Sequence, residues 1–172
     1  MIDLTRSYER IQHDDLQRLG QIAKRDGESF FARNPKYAPL QNYVLAVALC
    51  QGAALHFVDG RNGIKDLDVW TFYADVPGLQ YPPRRPVACY DFGNDKFGRT
   101  RDFEHFTGRK VDCLGRSLEA QLGTPATVAL RQYLEAARTR SAGELAGKAV
   151  VLIEPLESLG TIVWPINAQP SV

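Results

Sequence analysis

The sequence predicts an α+β domain, bordering on the α/β class, with one small mixed β-sheet flanked by helices. The chain has 172 residues, enough for a single domain with a buried core over residues 1–172. Its hydrophobic content of 44% and charged content of 24% are ordinary for a globular protein. Helical and strand patterns are intermixed along the chain, which is typical of helices packed around one sheet.

The N-terminal part, residues 1–40, is predicted to contain helices that cover the sheet. Residues 3–33 have a helical pattern, in which Asp14 and Asp15 can cap and charge a helix start. The apolar positions that recur at helical spacing are Leu16, Leu19, Ile22 and Ala23. Pro35 ends this region because proline cannot continue a helix.

The central part, residues 43–115, alternates strand and loop patterns. The apolar run over residues 43–50 fits a buried strand or a buried helix, and periodicity does not decide between them. A short helix is predicted over residues 53–58. The predicted strands of this part are residues 66–73, 87–92 and 109–114.

The C-terminal part, residues 124–172, is predicted to contain one helix and two closing strands. Pro125 suits the first helical position, and the helix is expected to continue to about residue 140. The strands are expected over residues 149–153 and 161–164.

Composition and charge restrict the functional classes. The net charge of +1 gives no overall field toward nucleic acid or a membrane surface. No apolar run approaches the roughly 20 residues that span a bilayer, and the N-terminus lacks a signal-peptide pattern. Cys50, Cys89 and Cys113 are odd in number, widely spaced and in apolar surroundings, so we interpret them as buried reduced thiols. We therefore expect a cytoplasmic protein.

Three aspartates are the main candidates for chemistry. Asp66 and Asp68 alternate with apolar residues on a predicted strand, so they project to one face. Asp112 lies in a second strand with the same alternation, and the three carboxylates would converge if these strands are neighbours. Converging carboxylates need positive charge among them, most often Mg²⁺. The alternative is that these residues form the solvent-exposed face of an amphipathic strand.

A glycine turn precedes the aspartates. Gly52 follows the apolar run and comes just before the predicted short helix, whose N-terminus would offer free N–H groups to an anion. Glycine allows a phosphate to approach the backbone closely. An ordinary turn glycine is the alternative interpretation.

Together, the turn Gln51-Gly52-Ala53, the pair Asp66-Leu67-Asp68 and the later Asp112 resemble the nucleotidyltransferase superfamily typified by polymerase-beta-like enzymes. The resemblance implies a small mixed sheet with helices on one face. It also implies Mg²⁺-dependent transfer of a nucleotidyl group from a nucleoside triphosphate to a hydroxyl. The three aspartates would be the catalytic metal ligands, and Gly52 with Ala53 would form the phosphate turn. Ala53 departs from the serine common in the family and loses a hydroxyl contact worth about 1–3 kcal/mol.

Further candidates surround this motif. Lys65 and Arg116 are predicted to contact phosphates, and the alternative for each is a solvated surface charge. They belong to a local basic rim around the two strands, whose other members are Arg61, Arg84, Arg85, Lys96, Arg99, Arg101, Arg109 and Lys110. Arg116 would share the face of Asp112 if the strand continues past Gly115, and its alternative role is a salt bridge that orients Asp112. His56 is interpreted as a structural histidine. Four aromatic residues are assigned to the carboxylate face, as base-stacking candidates or core residues: Trp70, Phe72, Tyr90 and Phe92.

Three functions are compatible with these residues. The first is a nucleotidyltransferase whose acceptor is a protein, a small molecule or an RNA end. The second is a catalytically inactive domain of this type that binds a nucleotide or a partner. The third is a metal-dependent phosphodiesterase or nuclease, against which the Gly52 turn argues. Because the chain is short, we expect the acceptor to bind between subunits of a homo-oligomer or on a partner, with no role for a membrane.

Overall fold

A six-stranded mixed sheet organises the protein, as seen in a computed structural model that describes residues 5–170. The strands lie in the order β3-β4-β2-β1-β5-β6; β2 and β4 are parallel, and every other neighbouring pair is antiparallel. In chain order they are β1 (Val44–Cys50), β2 (Leu67–Tyr73), β3 (Ala88–Asp91), β4 (Lys110–Ser117), β5 (Val150–Glu154) and β6 (Ile162–Trp164). The predicted α+β fold with a small mixed sheet is confirmed.

Helices cover both faces of this sheet. They are α1 (His13–Arg33), α2 (Gln51–Asp59), α3 (Ala126–Ala136) and α4 (Arg140–Ala146). The first two pack on one face and the last two on the other, so each face has its own apolar cluster. The arrangement with helices on one face, which the family resemblance implied, is therefore wrong for this chain.

Several element boundaries differ from the sequence predictions. The predicted N-terminal helix starts only at His13, and residues 3 and 4 lie outside the described residues. Short 3-10 helices at Pro35–Tyr43 and Leu156–Ser158 were not predicted. The helix expected to reach residue 140 ends at Ala136, because Ala137 adopts a left-handed conformation with φ 45°.

A second C-terminal helix follows this break. The Thr139 side chain accepts a hydrogen bond from the Ala142 N–H and so caps the start of α4. Pro125 lies at the N-cap of α3, one position before its predicted place at the first helical residue. Both differences are local and leave the predicted order of helix and strands intact.

The undecided apolar run is the central strand β1. It lies between β2 and β5 and has helices on both faces, so every residue from Leu45 to Cys50 is buried. A strand buried on both faces has no alternation of apolar and polar residues, which explains why periodicity could not identify it. Among residues 5–170, no helix is long and apolar enough to cross a membrane.

Candidate functional site

The C-terminal end of β1 and the N-terminal ends of β2 and β4 lie side by side at one end of the sheet. Cys50, the last residue of β1, pairs with Asp68 near the start of β2, and Asp68 pairs with Asp112 near the start of β4. Asp66 immediately precedes β2. The fold therefore brings the three aspartates together, as the sequence predicted.

Lys110 lies among these carboxylates. Its Nζ is 3.2 Å from Asp112 Oδ2 and 3.7 Å from Asp66 Oδ1. The sequence analysis assigned the neutralising charge to Mg²⁺, but here a lysine supplies part of it. Within residues 5–170, no group of three or more His, Cys, Asp or Glu side chains is arranged to hold a metal ion. A metal at this place would require Lys110 to move away from the carboxylates.

Asp68 is difficult to ionise even though a lysine lies among the carboxylates. Burial, which is the largest cause, and the neighbouring carboxylates of Asp112 and Asp66 raise the pKa of Asp68 to about 7, against the lowering effect of Lys110 and Lys148. The donors are hard carboxylate oxygens, the ligand type that Mg²⁺ prefers, so their chemistry suits a divalent cation although Lys110 now lies among them.

The Gly52 turn lies beside this cluster, at the N-terminus of α2. The helix start has no side-chain cap, which leaves its first N–H groups without a side-chain partner. The left-handed residue is Gln51, with φ 60°, and not Gly52. Gly52 matters instead for close approach: a Cβ there would lie 3.3 Å from Asn62 Nδ2 and 3.9 Å from Lys148 Nζ. Ala53 is buried, so any contribution to phosphate binding would come from its backbone.

Cys89 contacts the cluster and corrects one prediction. It is exposed, whereas the sequence analysis placed all three cysteines in the interior; Cys50 and Cys113 are buried as predicted. Cys89 Sγ donates to Asp112 Oδ1 at 3.1 Å. Burial of the sulfur and the adjacent Asp112 raise the pKa of this thiol to about 11, so it stays protonated at neutral pH.

The two predicted phosphate-binding cations lie apart from the carboxylates. The Lys65 side chain is exposed and, within the described residues, forms no ion pair with the three aspartates. Arg116 does share the face of Asp112, because β4 continues to Ser117. Its guanidinium donates to Ser141 Oγ at 2.7 Å and lies over the Trp70 ring, so it does not orient Asp112 by a salt bridge.

Three members of the predicted basic rim have structural roles. Arg85 forms a salt bridge with the buried Asp26, and Lys96 pairs with the buried Asp15. Arg109 is itself buried and donates to the backbone carbonyl of Phe97. These cations hold loops against α1 and the sheet and are not directed at a ligand.

The base-stacking candidates are also part of the core. Trp70 and Phe72 lie on the carboxylate face but are only 7% and 0% exposed. Tyr90 and Phe92 belong to the opposite face, where they pack in the α1 layer, so their predicted placement beside the carboxylates was wrong. His56 is buried, and its Nε2 is 2.9 Å from the Glu9 carbonyl, which fits the structural role predicted for it.

The sequence placed Lys110 only in the basic rim, and it assigned neither Lys148 nor Cys89 to the site. The pairing of Lys110 with Asp112 could have been found, since Lys110 is two residues before Asp112 on a predicted strand and so shares its face. Cys89 and Lys148 depend on long-range pairing: Cys89 lies opposite Asp112, and Lys148 precedes Val150, the partner of Cys50. No local pattern in the sequence indicates these pairings.

No protein-family model, curated protein or solved structure matches the chain. The assignment of a function therefore depends on the residues and on the geometry described above.

Proposed function

We propose that the protein is a Mg²⁺-dependent nucleotidyltransferase that moves a nucleotidyl group from a nucleoside triphosphate to a hydroxyl: the acceptor oxygen, which loses its proton, bonds to the α-phosphorus, and pyrophosphate leaves. The observation that most supports this is the common location of the Gly52 turn and the three aspartates at adjoining ends of β1, β2 and β4. An anion-binding helix start beside an excess of carboxylates suits a ligand that combines phosphates with a divalent cation.

Each group has a separate role in this proposal. Asp66 and Asp68 would hold the metal that accompanies the triphosphate, and Asp112 would hold the metal near the acceptor hydroxyl. Bound Mg²⁺ would supply Lewis-acid stabilisation of charge on the phosphoryl oxygens. The N–H groups at the start of α2 and the Lys148 ammonium beside Gly52 would bind and orient the phosphates. Lys110, released from the carboxylates, would remain close enough to contact a phosphate.

Lys110 also favours one alternative. The Lys110 ammonium pairs with Asp66 and Asp112 and so supplies positive charge where a metal ion would otherwise lie. This pairing, and the absence of the turn serine at Ala53, are features expected of a catalytically inactive domain that binds a nucleotide or a partner. In such a protein the carboxylates would be held by Lys110 permanently, and Mg²⁺ would not affect ligand binding. The two functions therefore differ in their dependence on the metal.

Thermal melts with ATP, GTP, CTP and UTP, each with and without Mg²⁺, test the proposal. At about one hundred times the dissociation constant, a ligand should stabilise the protein by about 2.7 kcal/mol, and we expect this only when Mg²⁺ is present. Asp68→Asn should abolish the ligand-induced shift, whereas Asp14→Asn, an exposed aspartate of α1, should retain it. Stabilisation that is independent of Mg²⁺ would favour the inactive alternative. No stabilisation by any nucleotide would contradict the nucleotidyltransferase and the nucleotide-binding form of the alternative, and it would leave only an inactive domain that binds a partner.

Catalysis has its own measurement. Incubation with Mg²⁺ and a nucleoside triphosphate labelled at the α-phosphate should transfer the label to a cell-extract fraction that contains the acceptor. The Asp68→Asn protein should transfer none, because the carboxylate that holds the metal is lost. Equal transfer by wild type and Asp68→Asn would exclude this site as the origin of the activity.

A further inference from the structure

Two phenylalanines form an apolar surface outside the core. Phe103 and Phe106 stack with ring centroids 4.7 Å apart and an interplanar angle of 20°. Both side chains are half-buried, and neither belongs to the apolar clusters on the two sheet faces or to a third, smaller cluster that includes Phe30 and Tyr81. Aromatic side chains normally contribute to stability by core burial, so a stacked pair at the surface needs another explanation.

The pair lies beside the candidate site. Lys110 Nζ lies over the Phe103 ring at 5.8 Å from its centroid, and the same atom contacts the carboxylates of Asp66 and Asp112. The ring and the two carboxylates therefore lie around one ammonium group. In a nucleoside triphosphate the base and the α-phosphate are likewise close together, since one ribose joins them.

The loop that presents the pair is held in place. Residues 93–108 connect β3 to β4, and the Asp91 carboxylate at the start of this loop accepts hydrogen bonds from the N–H groups of Gly93, Thr107 and Gly108. The Phe106 N–H donates to the Phe103 carbonyl in a tight turn. The loop is therefore fixed before binding, and a base could stack once Lys110 leaves the Phe103 ring, a movement that metal binding at the carboxylates already requires.

We infer that Phe103 and Phe106 form the platform on which the base of the nucleoside triphosphate stacks. This inference rests on the proposed function, and it names the part of the ligand that the carboxylates and the Gly52 turn do not contact. Because Trp70 and Phe72 are buried and Phe92 lies on the other face, this pair is the aromatic surface adjoining the aspartates within residues 5–170. Stacking uses the π-face that every base has, so discrimination among the four bases should be small.

Two probes and three variants test the inference. The affinities of Mg·ATP and of Mg·tripolyphosphate, which has the phosphates but no base, are measured by calorimetry. Phe103→Leu and Phe106→Leu, which remain apolar but lose the π-face, should each weaken ATP binding about tenfold or more and leave tripolyphosphate binding unchanged. Tyr8→Leu, at an aromatic residue that is 52% exposed, is the matched control and should affect neither probe.

The outcomes separate the two proposals. Unchanged ATP affinity in Phe103→Leu and Phe106→Leu, or equal losses for both probes, would overturn the platform while leaving the nucleotidyltransferase proposal in place. Retained tripolyphosphate binding also shows that a variant is folded. If wild-type protein binds neither probe, the proposed function fails, and the platform fails with it.

Discussion

At Asp68 the fold opposes the ionised state that the proposed metal chemistry needs. The pairing of β2 with β1 and β4 places it between a buried strand and another carboxylate. Ionisation there is opposed by burial and by Asp112 and Asp66, which is why its pKa rises to about 7. A site that binds a cation in its working state tolerates such repulsion because the ligand removes it.

This repulsion predicts how stability depends on pH. Between about pH 4 and 7 the folded protein binds the Asp68 proton more tightly than the unfolded chain, so the free energy of unfolding falls as pH rises. A full shift of this size corresponds to about 4 kcal/mol, which solvent screening at a half-buried side chain reduces to about 1–3 kcal/mol. Asp68→Asn removes the effect.

Urea unfolding from pH 4.5 to 7.5 in the presence of EDTA measures this pH dependence of the free energy of unfolding. The difference in free energy of unfolding between Asp68→Asn and wild type should grow in favour of the variant by about 1–3 kcal/mol across this pH range. Asp14→Asn, at an exposed position, should show no such growth. A constant difference between wild type and Asp68→Asn would mean that Asp68 ionises normally in the folded protein.

The buried ion pair between Arg85 and Asp26 gives a second residue-scale prediction. Arg85 donates to both oxygens of Asp26 at 2.8 Å, and the Tyr90 hydroxyl donates to the same carboxylate. Asp26→Ala would leave a buried guanidinium without its partner and should lower the free energy of unfolding by about 3–5 kcal/mol.

Denaturant unfolding checks this value against an exposed pair. Glu144→Ala breaks the pair with Arg140 in α4, whose side chains are 55% and 93% exposed, and should cost at most about 1 kcal/mol. Similar losses in the two variants would show that the Asp26 pair is as well solvated as the surface one.

At the scale of elements, amphipathic segments and short strands were predictable, and segments defined by long-range pairing were not. The α1 pattern and the alternation in β4 reflect burial on one face, which leaves a periodic signal in the sequence. β1 is buried on both faces and has no such signal. The break at Ala137 is set by a left-handed alanine, a conformation that no local residue type announces.

The candidate site divides along the same line. Spacing and strand parity predicted that Asp66 and Asp68 share a face and that the Gly52 turn precedes them, but the convergence with Asp112 depended on β2 and β4 being neighbours, which only the structure shows. Chain order does not tell on which face of the sheet Tyr90 and Phe92 lie, because this depends on the register between β3 and β4. In that register Cys89, and not Tyr90, lies opposite Asp112. The contacts of Lys148 and Phe103 likewise depend on where a loop folds back.

The 93–108 loop gives the prediction that belongs to this scale. Although burial acts to raise it, the hydrogen bonds from Thr107, Gly93 and Gly108 hold the pKa of Asp91 below its usual range. Asp91→Ala removes these charge-assisted bonds, which solvent weakens at this solvent-accessible carboxylate, so the loop should open more often.

Limited trypsin digestion measures the opening, because Arg99 and Arg101 are exposed in this loop. Cleavage that follows the population of the open form should accelerate about tenfold or more in Asp91→Ala, and Asp14→Ala should be cleaved at the wild-type rate. An unchanged rate in Asp91→Ala would show that other contacts hold the loop.

For the whole molecule, the two faces of the sheet contribute to two separate apolar clusters, one on each side. Leu16 and Leu19 of α1 lie in one cluster, and Leu130 and Leu134 of α3 lie in the other. Each face of β1 contributes to a different cluster. If either layer of helices is lost, one face of the strands that the other layer packs against becomes exposed to solvent. The aspartates lie at an edge of this shared sheet, and their geometry therefore depends on both layers.

This coupling predicts cooperative unfolding. Leu16→Ala removes a side chain that is fully buried against the α1 face and should cost about 2–5 kcal/mol. Trp70 and Trp164 pack in the opposite cluster, so fluorescence reports the layer that this substitution does not touch. If the molecule unfolds in one step, the fluorescence transition of Leu16→Ala should shift as far as the far-UV circular dichroism transition. Leu156→Ala, at a side chain that is 63% exposed, should shift neither. A fluorescence transition that stays at the wild-type position while the dichroism transition moves would mean that the two layers unfold independently.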